Sequence, residues 1–92
     1  MEKILIVDDE ESILAPLEEM LKGEGYRIRA FDNPLKALEL LRTQEFDLAI
    51  FDIKMPEMSG YELLQVARTI RPALPVIFLS SKQEEQDQII GF

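Results

Sequence analysis

Four short apolar runs, each followed by a stretch patterned for a helix, constrain this chain more than any other feature of its sequence. The runs are Ile4-Leu5-Ile6-Val7, Tyr26 to Phe31, Phe46 to Asp52 and Val76-Ile77-Phe78-Leu79. A strand covered by helices on both faces reads as an unbroken apolar run, whereas a strand with one wet face alternates. The first and fourth runs, and Leu48-Ala49-Ile50-Phe51 within the third, are of the unbroken kind. In the second, Tyr26, Ile28 and Ala30 alternate with Arg27 and Arg29, the pattern of an edge strand. Strand and helix alternating four times predict an α/β sandwich around a parallel sheet.

The helical stretches carry their own punctuation. The first is predicted from about Glu10 to Lys22, with Ile13, Leu14, Leu17, Met20 and Leu21 as its apolar stripe and Gly23 and Gly25 ending it. Pro16 inside it removes one backbone donor, which predicts a local kink. Asn33-Pro34 opens the second helix, Asn as cap and Pro in the first turn, and Leu35, Leu38 and Leu41 carry its buried face. Ser59 and Glu62 make a capping box for the third, which continues to about Ile70. Pro72 and Pro75 then break the chain, and a last amphipathic piece is predicted from about Gln83 to Ile90.

Composition excludes several chemistries. The chain has 92 residues, read as a single domain over 1–92, and neither cysteine nor histidine. Disulfides, thiolate metal sites and imidazole catalysis are therefore out. With 18 acidic against 10 basic residues, the net charge of −8 opposes direct binding to nucleic acid or an anionic membrane. No apolar run approaches the roughly 18 residues of a membrane span. Met1-Glu2-Lys3 leads straight into a strand and is no signal peptide, so the expected location is the cytoplasm.

In parallel sheets of this kind ligands sit at the carboxyl ends of the strands. There the sequence places Asp8-Asp9 after the first strand, Asp52 at the end of the third and Ser80-Ser81 after the fourth. Neighbouring carboxylates repel, and a fold does not gather them for stability. A hard divalent cation removes the conflict, and an all-oxygen set suits Mg²⁺. The plainer reading of one such residue is a helix cap, and Asp9 is placed to cap the first helix.

These residues carry a resemblance. Val7-Asp8-Asp9-Glu10, the run Asp52-Ile53-Lys54-Met55-Pro56-Glu57-Met58-Ser59-Gly60 and Leu79-Ser80-Ser81 resemble three landmarks of response-regulator receiver domains, in order and at the right spacing. The middle one is similar to their D-x-x-M-P-x-M-x-G signature. The resemblance implies a CheY-like, flavodoxin-like three-layer sandwich with strand order 2-1-3-4. It implies that Asp52 is the phosphoacceptor, with Asp9, Asp52 and the Lys54 carbonyl as direct Mg²⁺ ligands and Asp8 acting mostly through a metal-bound water. Ser80 would hydrogen-bond the phosphoryl group and report its arrival. Met55, Pro56 and Gly60 shape the loop, with glycine at 60 for a backbone conformation that a Cβ would penalise. Lys54 and Lys82 stand where the family tunes phosphoryl lifetime, or are solvated surface lysines.

The implied role is a switch in a bacterial two-component phosphorelay, phosphorylated by a sensor histidine kinase and passing the signal to an output domain or downstream protein. A receiver catalyses its own phosphorylation and dephosphorylation but is not an enzyme acting on a separate substrate. Members of the family also carry a fifth strand and fifth helix, with a lysine that pairs with the acyl phosphate; this chain stops at Phe92, so a closing βα unit of about 30 residues is missing, and without that lysine the fragment is expected to be poorly active. On that reading the fourth strand becomes an open edge, and the fragment is expected to self-associate through it. Two other readings stand beside this one. Haloacid-dehalogenase-like phosphatases need a second acid two residues after the nucleophile, where this chain has Lys54. A pure interaction module would keep the acidic pocket only as a vestige. Gly23-Glu24-Gly25 follows a helix and precedes a strand, the reverse of a dinucleotide loop.

Overall fold

The computed structural model describes residues 2–79, together with the backbone of residues 89–91. Its elements run β1 (Lys3–Val7), α1 (Glu11–Gly23), β2 (Arg27–Phe31), α2 (Pro34–Thr43), β3 (Leu48–Asp52), α3 (Gly60–Ile70), β4 (Val76–Leu79) and β5 (Ile89–Gly91). The sheet order is β2-β1-β3-β4-β5. The first three pairings are parallel, as expected, and β2 is the edge strand its Arg27/Arg29 alternation predicts.

Period-two alternation along each strand sends its residues to two different cores. Leu5 and Val7 of β1, Ala49 and Phe51 of β3 and Val76 and Phe78 of β4 pack with Ala37, Leu38 and Leu41 of α2 and Leu63 and Ala67 of α3. Ile4 and Ile6 of β1 and Ile28 of β2 pack with Leu14 of α1, flanked by Leu17, Leu21, Leu48 and Ile50. Helix α1 therefore covers one face and α2 and α3 the other, giving three layers. Both faces of β1 are buried, which its unbroken apolar run requires, while β3 buries Ala49 and Phe51 on one face and keeps Leu48 and Ile50 half-buried on the other.

The helix ends follow their sequence signals. Asn33 Oδ1 accepts from Leu35 N at 2.8 Å, with Pro34 at the first helical position. The capping box forms: Glu62 N donates to Ser59 Oγ at 3.1 Å and Ser59 N to Glu62 Oε1 at 3.0 Å. At α1 the expectation fails. The cap position is Glu10, with no side-chain cap bond, so Asp9 does not cap this helix. Asp8 turns back instead, its Oδ1 accepting from Glu10 N at 2.9 Å.

The C-terminal expectation also changes. Ile89–Gly91 is a short strand antiparallel to β4, pairing Leu79 with Ile89 and Ile77 with Gly91, rather than the end of a helix. Strand β4 was patterned for neighbours on both sides, and its backbone groups draw the apolar Ile89-Ile90 pair into the ladder. The edge expected to be open, and to drive self-association, is occupied by the chain's own residues. The remainder of the predicted Gln83–Ile90 helix lies outside the described residues.

Candidate functional site

The parallel register brings the carboxyl ends of β1 and β3 side by side: Val7 pairs with Phe51, and Asp8 and Asp52 follow them. Carboxylate oxygens of Asp8, Asp9 and Asp52 lie within 4.8 Å of one another. Asp8 and Asp52 are 0% exposed, and Asp9 is half-buried. Asp9 Oδ1 is buried with no hydrogen-bond partner among the described residues. An interior of this polarity is costly unless a positive charge enters it. The donor set is all oxygen, which fits a hard divalent cation such as Mg²⁺.

The β3–α3 loop is pinned close to this cluster. Ile53 N donates to Leu79 O at 3.3 Å, and Gly60 N donates to Ile53 O at 2.8 Å. The start of α3 thereby lies against the backbone of Asp52. A Cβ on Gly60 would stand 2.3 Å from the Asp52 carbonyl oxygen and 3.1 Å from both Asp52 C and Ile53 Cα. Glycine is required there by close approach. The expectation of an unusual backbone conformation is corrected: the positive φ among the described glycines belongs to Gly25, at 100°. The D-x-x-M-P-x-M-x-G spacing pointed to the right residue, but only the packed loop reveals what it meets. Met55 and Met58 are half-buried against the main core, as their structural role requires.

Of the sequence-predicted site residues, the structure brings Asp8, Asp9 and Asp52 together. Lys54 lies in the β3–α3 loop and is exposed. Ser80, Ser81 and Lys82 lie outside the described residues. Sequence reasoning missed the Asp8–Glu10 turn, in which Asp8 Oδ1 accepts from Glu10 N.

Together these features define a doubly wound α/β domain with an acidic cluster at the carboxyl ends of its central strands. Residues 4–92 match the model of the response regulator receiver domain, and the chain belongs to that family. It is 38% identical over 90 residues to the transcriptional regulatory protein CreB of Escherichia coli, an alignment covering 98% of this chain and 39% of that protein. The chain thus spans well under half the length of that relative. Among solved structures, a CheY-like response regulator receiver domain protein from Methanospirillum hungatei superposes with a TM-score of 0.85 at 34% identity, covering 95% of this chain and 70% of that one. A chain of the complex between the histidine kinase ThkA and the response regulator protein TrrA superposes with a TM-score of 0.82 at 35% identity, covering 96% and 76%. Among the described residues no helix is long and apolar enough to cross a membrane.

Proposed function

We propose that this chain accepts a phosphoryl group on Asp52 from a sensor histidine kinase and acts as a phosphorylation switch in the cytoplasm. The observation that carries the reading is the convergence of three carboxylates on one buried point, with Asp52 at the end of a central strand. A carboxylate is a competent nucleophile towards phosphorus. An Asp52 oxygen attacks the phosphorus of a phosphohistidine and forms an acyl phosphate. The P–N bond breaks, and its electron pair returns to the imidazole nitrogen. Hydrolysis of the acyl phosphate resets the switch.

Asp9 and Asp52, with the backbone carbonyl of Lys54, would hold Mg²⁺ directly, and Asp8 would act mostly through a bound water. When bound, the cation offsets charge on the carboxylates and on the phosphoryl oxygens. Asp8 is held for this role by its bond from Glu10 N. Asp52 is aimed by the ladder of β3 on one side and by the Gly60 approach on the other. Ser80 would donate a hydrogen bond to the phosphoryl group and move on its arrival. What the switch controls is set by the output domain or protein to which the receiver is coupled.

The test is intact-mass analysis after incubation with acetyl phosphate and Mg²⁺. The parent protein gains one phosphoryl mass and the Asp52→Asn variant gains none, with its circular dichroism unchanged. A phosphorylated Asp52→Asn protein refutes the assignment.

A further inference from the structure

At the opposite end of the sheet, four of the chain's ten basic residues line one open groove of about 610 Å³: Lys3, Lys22, Arg27 and Arg29, with Tyr26 and Phe46 among its walls. Lys22 is paired with Glu18 at 3.1 Å. Lys3, Arg27 and Arg29 make no ion pair among the described residues, although acids outnumber bases by 18 to 10 in this chain. Two of the three cations are held in place by rings. The Lys3 ammonium lies 5.3 Å from the Phe46 ring centre, and the Arg29 guanidinium lies 5.7 Å from that of Phe31. Lys3 also donates to Gln44 Oε1 at 3.4 Å.

The backbone adds a second, independent feature. Arg27 N donates to Glu2 O, and Phe31 O accepts from Asp8 N. In a parallel ladder this phase turns the N–H and C=O groups of Arg27, Arg29 and Phe31 towards β1. The groups of Ile28 and Ala30 therefore point away from the sheet, along its outer edge. Arg27 and Arg29 stand two residues apart on one face, about 7 Å along the strand. That is the spacing of alternate side chains on any strand laid beside β2.

We propose that the β2 edge docks an acidic, extended segment of a partner protein. The segment adds as a strand against Ile28 and Ala30, and its alternate carboxylates meet Arg27 and Arg29, with Lys3 as a third cation. Main-chain hydrogen bonds supply affinity in this mode of recognition, and side chains at alternate positions supply specificity. Cations along an edge deter indiscriminate strand pairing. Here they select by sign, because a carboxylate-bearing strand turns the repulsion into attraction.

The test titrates the full chain, labelled for NMR, with a synthetic peptide of alternating Glu and Val, beside one of alternating Lys and Val. The acidic peptide should shift the amides of Ile28 and Ala30 and slow their hydrogen exchange, and the basic peptide should not. Arg27→Glu with Arg29→Glu should weaken binding about tenfold or more, whereas Arg27→Lys with Arg29→Lys should retain most of it. Ala30→Pro removes an outward N–H and no charge, and should also weaken binding about tenfold. Amide spectra away from β2 confirm that each variant is folded. Binding that survives Ala30→Pro overturns the proposal, as does inorganic pyrophosphate producing the same shifts and exchange protection, which would make the groove a small-anion site. Absence of binding by the acidic peptide overturns it too.

Discussion

Gly60→Ala should damage both the stability of the domain and the aim of Asp52. The added methyl would sit 2.3 Å from the Asp52 carbonyl oxygen. Carbon and oxygen atoms rest no closer than about 3.3 Å, so about 1 Å of separation must be found. The blocking atoms are backbone: Asp52 C and Ile53 Cα at 3.1 Å, beside the Gly60–Ile53 hydrogen bond of 2.8 Å. No flexible side chain is available to yield. Forcing a methyl into a packed region of this kind costs about 1–3 kcal/mol, and each kcal/mol lowers the melting temperature of a domain this size by about 4–8 °C. The required shift moves the strand end that bears Asp52. Misplacing a reacting group by about 1 Å slows reaction by up to about a hundredfold. Gly23→Ala is the control, since a Cβ there meets nothing within 4 Å. Urea unfolding and the rate of phosphorylation by acetyl phosphate would be measured for both variants. A Gly60→Ala protein matching the parent in stability and rate would refute the close-approach argument.

Three further outcomes follow from the same geometry. Asp9→Ala should weaken Mg²⁺ binding more than Asp8→Ala in a fluorescence or NMR titration; equal losses would undo the division of roles. Asp52→Asn removes one of three clustered charges, so without divalent cations it should unfold at higher urea than the parent, while gaining less stability on Mg²⁺ addition; an unchanged midpoint without cations would show that the repulsion is already relieved. Ser59→Ala breaks the Glu62 N to Ser59 Oγ bond of the capping box and should cost about 0.5–2 kcal/mol in thermal unfolding.

Much of the fold was legible because burial on both faces leaves a plain mark. Ile4 to Val7 and Val76 to Leu79 read as interior strands of the sheet, and Arg27 and Arg29 marked the edge. The acidic cluster was legible for a related reason: strand ends are fixed by those runs, so Asp8, Asp9 and Asp52 had to share one end of the sheet. What escaped depends on how the backbone turns and which groups it then brings into contact. Ile89-Ile90 fits a helical stripe locally, and its pairing with β4 is decided by the open backbone groups of a strand ten residues away. Asp9 met the composition rule for a cap, but the chain turns so that Asp8 bonds Glu10 N. Gly60 was flagged by its motif, yet the Asp52 carbonyl that excludes a side chain becomes visible only when the loop closes. The basic groove joins Lys3, the stretch from Lys22 to Arg29, and Gln44 with Phe46, three separate parts of the chain that no local pattern connects.

The central claim is that Asp52 is the residue that receives phosphate. Acyl phosphates are reduced by borohydride, which converts the modified aspartate to homoserine and leaves unmodified carboxylates intact. The protein would be treated with acetyl phosphate and Mg²⁺, reduced, digested and sequenced by mass spectrometry. Homoserine should appear at position 52, and none should form when Mg²⁺ is chelated beforehand. Homoserine at position 8 or 9, or at any other acid with position 52 unmodified, would contradict it.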